Sequence, residues 1–160
     1  IIMVSVGVSQ MGNTNIVFVE PGAKINSEYY CNHVLGQGLL PDIRARCNRH
    51  NWTLQQDGFP SHTARNITNF LHQENVTFID PDMWPPNSPD LNQVDYAICG
   101  ALQQNVYIRR KFTTIEQLKL AIIEEWRKLS KHFIDRNINE WRKRLNKVVE
   151  NQGGHIEHDF

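Results

Sequence analysis

The sequence has few cysteines and no long apolar run, and both absences exclude classes of protein. Its three cysteines, Cys31, Cys47 and Cys99, lie far apart and include no CxxC pair. Their odd number and wide spacing argue against a disulfide framework or a zinc knuckle and favour a reducing compartment. No apolar run is long enough to span a membrane, and the apolar opening segment lacks the basic leader and cleavage site of a signal peptide. We therefore expect no membrane partner.

The chain also lacks net charge, but its charges are unevenly distributed. Residues 101–150 contain twelve Lys or Arg against six Asp or Glu, whereas the rest of the chain contains five basic and eleven acidic residues. A basic helical face beside a cluster of carboxylates suits a protein that holds phosphates and also binds metal. On charge alone, a solvated helix face explains the basic residues equally well. The clustered aspartates are Asp57, Asp80, Asp82, Asp90 and Asp95.

The 160 residues suit one domain, and their patterns predict an α/β sheet domain with a helical C-terminal part. Val4, Val6 and Val8 alternate with small residues, as in a half-buried strand, and a turn followed by NIVFVE predicts the second strand of a hairpin. Because the chain begins almost inside a strand, we expect an N-terminal portion to be absent. NWTLQQD and VTFID are predicted as further short strands.

The helices are predicted from apolar stripes and end signals. A helix from Asn26 is expected to be interrupted by Gly36, Gly38 and Pro41 and to restart to about His50. Ser61 is expected to cap the next helix. Another helix runs from Leu91 to about Tyr107, with a buried stripe formed by Val94, Ile98, Leu102 and Val106. Thr113 and Glu116 match a capping box that opens a helix with the stripe Ile115, Leu118, Ile122, Trp126 and Leu129. The last helix carries Ile134, Ile138, Trp141, Leu145 and Val148 and is expected to stop at Gly153-Gly154.

Two aspartates are candidates for a metal site. Asp57 follows a predicted strand, directly before a Gly-Phe-Pro break, and Asp95 lies in the first turn of a predicted helix. The 37 residues between them can form a helix, a strand and a loop that return the chain beside the first strand. Mg²⁺ prefers oxygen ligands and is usually held by one or two carboxylates together with substrate phosphate. Spacing alone does not decide the matter, because an aspartate at a strand end is more often a turn former or a cap.

Several neighbouring residues also have structural explanations. Ser88 or Asp90 can cap the following helix, where a negative charge favours the helix dipole. His62 can cap a helix or lie at the surface, and Trp84 is expected to be a packing residue.

Two long motifs favour the metal site. LQQDGFPSHTA resembles the second-acid motif of mariner-like DNA transposases, and WPPNSPDLNQVDY resembles their third-acid motif. The segment VSVGVSQMGNTNIVFVEPGAKINSEYYCNHVL is similar to the strand, hairpin and helix that precede the second acid, and NQGGHIEHDF is similar to the family's C-terminal end. The resemblance covers essentially the whole chain. An Asp at position 95, where other branches have Glu, indicates the mariner-type branch.

The resemblance implies a ribonuclease-H-like fold, a mixed sheet flanked by helices. Residues 1–112 would form the catalytic core without its first strand, and residues 113–160 the C-terminal helices of the same domain. It implies a nuclear transposase that cleaves DNA and transfers strands, using two Mg²⁺ or Mn²⁺ ions. Its partners would be transposon ends, target DNA and, at full length, a second copy in a homodimer.

The resemblance assigns site residues one by one. Asp57 matches the second acid and Asp95 the third, and both would bind metal and be catalytic. His62 and Asn92 are motif-borne candidates for supporting the site. The basic residues of the last two helices are candidates for DNA phosphate contacts, with a solvated face as the equal alternative. They are Arg127, Lys128, Arg142 and Arg144.

The sequence also departs from the family. Residues 1–3 supply no first acid, the helix-turn-helix domain that reads DNA is not present, and Glu20 precedes a Pro-Gly turn that makes it a poor substitute. We therefore expect this chain alone to be inactive, because metal chemistry depends on a complete ligand set. The alternative is a catalytically inactive or repurposed relative that binds nucleic acid. A third possibility is another ribonuclease-H-like enzyme, such as a resolvase or an RNA-cleaving nuclease.

Overall fold

A computed structural model of the chain describes residues 1–57, 64–85 and 88–152, apart from the side chains of Pro89 and Asp95. Short strands come first, mixed helices and loops follow, and two long helices close the described chain. Within these ranges, no helix is both long and apolar enough to cross a lipid bilayer. The strands are β1 (Val4–Ser5), β2 (Val8–Ser9), β3 (Gly12–Asn13) and β4 (Val17–Phe18). The helices are α1 (residues 27–47), α2 (Arg65–Gln73), α3 (residues 94–107), α4 (Ile115–Lys128) and α5 (Lys131–Glu150), with single 3-10 turns at Pro81–Met83 and Pro89–Leu91.

The N-terminal strands form the predicted hairpin. β1 pairs antiparallel with β4, with Val4 opposite Phe18, and β2 pairs antiparallel with β3 at the tip. Between the two paired pieces, the N–H of Gly7 donates to the Thr14 hydroxyl at 2.9 Å, while the Thr14 N–H donates to the Gly7 carbonyl at 2.9 Å. A side-chain oxygen therefore replaces one backbone acceptor in the ladder, and the regular pairing is split into two short pieces.

The prediction that Gly36, Gly38 and Pro41 interrupt α1 was wrong. The helix is continuous: Ser27–Tyr29 leads into a π-helical stretch, Tyr30–Leu39, which passes into Leu40–Cys47. The Leu40 N–H donates to the Leu35 carbonyl, five residues back, and Pro41 follows inside the continuous helix, where it contributes no N–H to the hydrogen-bond ladder. Gly36 and Gly38 allow neighbouring side chains to pack closely against the helix. The sequence pattern, in which glycine and proline indicate helix ends, does not reveal this role.

Gly38 lies where α1 approaches β4 closely. A Cβ at Gly38 would lie 2.5 Å from Cγ2 of Val17, closer than side-chain atoms can pack. We expect Gly38→Ala to lower the free energy of unfolding by about 1–3 kcal/mol, because the helix or Val17 must shift. Denaturant unfolding with circular dichroism measures this.

The matched control is Gly100→Ala in α3. A Cβ at Gly100 meets nothing within 4 Å, so this substitution should be neutral or stabilise by up to about 1 kcal/mol, the usual gain of Ala over Gly within a helix. Adding Val17→Ala to Gly38→Ala should recover part of the loss. Equal stabilities for the two glycine variants would contradict the close approach.

The strands predicted for NWTLQQD and VTFID are reduced to a single parallel bridge. Leu54 lies opposite Phe78, with the Leu54 N–H donating to the Thr77 carbonyl at 2.8 Å and the Ile79 N–H donating to the Leu54 carbonyl at 3.0 Å. Among the described residues, no backbone hydrogen bond joins this bridge to the hairpin. The two segments pair in parallel at this bridge, but the described sheet consists of separate pieces.

Helices cover the strands from two directions. One apolar cluster joins α1 and α2 to Val17, Leu54 and Phe78, and includes the fully buried side chains of Ile67 and Leu71. A second cluster joins α3, α4 and α5 to Val6, Val8 and Ile16 of the hairpin. Neighbouring residues of the hairpin thus contribute to different clusters, which is the alternation expected of a strand covered on both faces.

The third cluster fixes the loop ahead of α3. Trp84 packs with Leu91 and with Val148 of α5, which confirms its predicted packing role. Within α3, the predicted stripe is confirmed at Ile98, Leu102 and Val106, all of which are buried, but the helix begins at Val94 and not at Leu91. The three residues Pro89–Leu91 form a separate 3-10 turn.

The N-cap of α4 is Thr114, one residue later than predicted. The Thr114 hydroxyl accepts from the Gln117 N–H at 3.2 Å, and Oε1 of Gln117 accepts from the Thr113 N–H at 3.1 Å. Both Thr113–Glu116 and Thr114–Gln117 fit the S/T-x-x-E/Q pattern, so the pattern alone cannot select the register. The predicted stripe member Ile115 is consequently in the first turn and is half exposed. The Gly153-Gly154 stop of α5 lies outside the described residues, and the helix itself ends at Glu150.

Candidate metal-binding site

Asp57 follows the extended segment that contains the Leu54 bridge. Its side chain is half-buried and borders a cavity of about 640 Å³. The segment is held on one side by Leu54, whose backbone pairs with residues 77–79. Asp57 therefore follows a backbone segment that is held in place by the hydrogen bonds of Leu54. A metal ligand at the end of a strand needs such a fixed backbone.

Asp95 is the second residue of the π-helical turn Val94–Ile98, which opens α3. Asn92 caps this turn: its Oδ1 accepts from the Val94 N–H at 3.0 Å, and its carbonyl accepts from the Tyr96 N–H at 2.9 Å. The Asp95 side chain lies outside the described part of the structure. So does all of His62, together with the rest of residues 58–63.

The two segments meet through glutamines. Nε2 of Gln55, two residues before Asp57, donates to the Leu91 carbonyl at 2.7 Å and lies 3.4 Å from Oε1 of Gln93, two residues before Asp95. Asp57, Asn92 and Gln93 line the same cavity. The 37 intervening residues thus return the chain beside the Asp57 segment, as the sequence predicts. Within the described ranges, no group of three or more His, Cys, Asp or Glu side chains is arranged to hold a metal ion.

Tyr30 of α1 is a neighbour that the sequence did not reveal. Its hydroxyl donates to Oε1 of Gln56 at 2.8 Å, and the ring is buried. Burial raises the pKa of Tyr30 well above its usual range, and the negative charge of Asp57 raises it further. Tyr30 is therefore a neutral hydrogen-bond donor beside Asp57 at any physiological pH. Its position among the apolar residues of α1 resembles a core position, so no local signal marks it.

The four basic candidates fall into two groups. Arg127 and Arg142 are exposed, and Lys128 is exposed but pairs with Glu124 at 2.7 Å. Arg144 is buried, and its guanidinium carbon lies 3.8 Å from the centroid of the Tyr96 ring. A buried guanidinium stacked on a ring is not presented to a phosphate backbone. We therefore leave Arg144 out of the proposed phosphate-contacting surface.

The fold matches solved transposase catalytic domains. No family model matches the sequence. The crystal structure of the catalytic domain of the Mos1 mariner transposase superposes with a TM-score of 0.81 at 22% identity, covering 97% of this chain and 76% of that one. A Mos1 catalytic-domain structure with raltegravir and Mn gives 0.80 at 23%, covering 97% and 77%. The Mos1 paired-end complex with the left transposon end gives 0.80 at 23%, covering 96% and 44%.

The curated proteins that are similar to the chain in sequence are also transposases. The chain is 27% identical over 135 residues to the Tc3 transposase of Caenorhabditis elegans, a match that covers 84% of the chain and 39% of the relative. It is 32% identical over 68 residues to the Tcb1 transposase of Caenorhabditis briggsae, covering 42% and 23%. The resemblance to mariner-like transposases is confirmed. The chain spans less than half the length of these curated transposases.

Proposed function

We propose that this chain is the catalytic part of a DNA transposase with a ribonuclease-H-like fold, and that Asp57 and Asp95 bind a divalent cation. The observation that carries the proposal is the pair of contacts from Gln55 to Leu91 and Gln93, which join the segment ending in Asp57 to the segment leading into Asp95. The transposase relatives and the mariner-type fold support the same assignment.

The residues beside the cavity suit a hard cation. Asp57 offers a half-buried carboxylate, and Asn92 offers an amide oxygen that has a second lone pair beyond its bond to Val94. Mg²⁺ and Mn²⁺ favour such oxygen donors, and the solved Mos1 catalytic domain with Mn is consistent with this choice. When bound, the cation reverses the local negative field and stabilises charge on a phosphate.

The chain's own groups have distinct proposed roles. Asp57 and Asp95 supply the charged ligands, with two ions expected in a complete site, and Asn92 and His62 support them. Gln55 holds the two ligand-bearing segments together. In the proposed reaction, water attacks a DNA phosphodiester and the P–O bond to its 3′ oxygen breaks, which releases a 3′ hydroxyl. A 3′ hydroxyl then attacks a second phosphodiester and displaces the 3′ oxygen there.

The proposed partner is DNA at transposon ends and at the target. Arg127, Lys128 and Arg142, exposed on α4 and α5, are the proposed phosphate contacts. The Mos1 paired-end complex contains a transposon end, which supports DNA as the class of ligand. A homodimer and a nuclear location belong to the same proposal.

A metal titration tests the site directly. We expect Mn²⁺ to stabilise the chain by about 2.7 kcal/mol when its concentration is 100 times its dissociation constant, because it binds the folded state. For a domain of this size, that corresponds to a rise in Tm of roughly 5–10 °C. Differential scanning calorimetry across a range of Mn²⁺ concentrations measures the shift.

The matched control makes the same substitution at another aspartate of the acidic stretch. Asp57→Asn should abolish most of the stabilisation by Mn²⁺, whereas Asp82→Asn, at an exposed position in the turn Pro81–Met83, should retain it. A wild-type chain that shows no shift at millimolar Mn²⁺ would overturn the metal site and would favour the inactive or repurposed relative.

A further inference from the structure

We propose that Arg144 is a positioning residue, which acts from α5 through the ring of Tyr96 to fix the helical turn that carries Asp95. The inference rests on the proposed function, because the position of this turn matters to the chemistry only if Asp95 binds metal.

Arg144 contacts the segment around Asp95 at two points. Its guanidinium carbon lies 3.8 Å from the Tyr96 ring centroid, a distance at which a planar cation stacks on an aromatic face. Its Nη1 also donates to the Asp90 carbonyl at 3.4 Å. One side chain therefore contacts the Pro89–Leu91 turn and the first turn of α3, which lie on either side of Asn92 and Gln93.

Tyr96 adds a third attachment to the same helix. Its hydroxyl donates a hydrogen bond to the backbone carbonyl of Asn137 in α5. Because Tyr96 is the residue next to Asp95, the contacts that hold its ring and hydroxyl also hold the Asp95 backbone.

A buried arginine at this position, in place of an apolar residue, favours a positioning role over simple packing. Arg144 is only 8% exposed, and its Nε lies 3.6 Å from Oε2 of Glu140, which offsets part of its charge. Burying a guanidinium costs desolvation energy that a Met or Leu of similar size would avoid. A stacked, planar group with several donors restricts the orientation of a neighbouring turn, which an apolar side chain does not. Metal ligands depend on such restriction by the residues behind them.

The test measures Mn²⁺ affinity by isothermal titration of the folded chain. Arg144→Met retains an unbranched apolar stem but loses the guanidinium with its charge and donors, and we expect it to weaken Mn²⁺ binding by about tenfold, the usual scale for residues that orient metal ligands. Arg144→Lys, which retains charge without the planar stack, should lie between Arg144→Met and wild type. Lys143→Met, at an exposed neighbouring position on α5, is the matched control and should bind like wild type.

A second measurement separates positioning from loss of folding. Amide hydrogen exchange of residues 90–98 should accelerate in Arg144→Met, while exchange in α2, which belongs to a different apolar cluster, should stay the same. Tyr96→Phe, which removes only the bond to Asn137, should show the same pattern more weakly, and it provides a milder variant if Arg144→Met fails to fold.

The outcomes distinguish the two proposals. Wild-type affinity in a folded Arg144→Met chain, or faster exchange spread evenly over the whole molecule, would overturn the positioning role while leaving the metal site intact. Failure of the wild-type chain to bind Mn²⁺ would overturn the proposed function itself, and the role of Arg144 with it.

Discussion

Asp57→Ala and Asp95→Ala are each expected to abolish DNA cleavage by a transposase that contains this chain. Each change removes a carboxylate from the proposed metal site, and the remaining oxygen donors cannot hold the cation in one geometry. A loss of about 4 kcal/mol in transition-state stabilisation corresponds to a rate at least on the order of 10³-fold slower. The measurement is single-turnover cleavage of a transposon-end duplex with Mg²⁺.

The fold should survive these changes. Asp57 is half-buried at the end of an extended segment and is not a member of any of the three apolar clusters. Unchanged circular dichroism and unfolding would therefore accompany the loss of cleavage. Asp82→Ala serves as the control, since it removes an exposed aspartate from the same acidic stretch. Full cleavage by either Asp57→Ala or Asp95→Ala would rule out the assignment of that residue.

Leu71→Ala should destabilise the chain by about 2–5 kcal/mol. The Leu71 side chain has no exposed surface and lies in the cluster formed by α1 and α2, so truncation removes apolar contacts and leaves a cavity. For a domain of this size the expected fall in Tm is roughly 5–15 °C. Urea unfolding followed by tryptophan fluorescence gives the free energy of unfolding.

Leu120→Ala provides a comparison with the same chemical change. Leu120 of α4 is 68% exposed, so its truncation removes little buried surface and should alter stability by less than about 0.5 kcal/mol. The comparison that matters is between the losses in free energy of unfolding caused by Leu71→Ala and by Leu120→Ala. Similar losses for Leu71→Ala and Leu120→Ala would contradict the burial that distinguishes α2 from the outer face of α4.

The sequence predicts local elements well where one signal dominates. The alternation at Val4, Val6 and Val8 predicts the hairpin, and the stripe through Ile98 and Leu102 predicts α3. Prediction from the sequence fails where one type of residue is compatible with two structural roles. Gly38 reads as a helix breaker, yet it is placed for contact with Val17 inside a continuous helix, and this contact joins residues far apart in the chain.

The candidate site shows the same division. Asp57 and Asp95 could be identified from motifs, because each aspartate and the turn residues beside it lie in one contiguous stretch of sequence. Gln55 and Tyr30 were not found, and Arg144 was predicted in a different role, because each is defined by a partner 26 or more residues away: Leu91 for Gln55, Gln56 for Tyr30 and Tyr96 for Arg144. Arg144 looks like any other member of the basic run in α5, and only its burial separates it from Arg142.

The strands on either side of the large cavity have a consequence for the protein in solution. Val4 and Val6 of the hairpin and Leu54 and Gln55 of the bridged segment all border this space, and the two pieces of sheet share no backbone hydrogen bonds within the described ranges. Backbone N–H and C=O groups on such strand edges form hydrogen bonds with water. An extended peptide can displace that water by pairing with the edge as an additional strand. We therefore expect self-association of the chain to increase with protein concentration and to be limited by purification at low concentration.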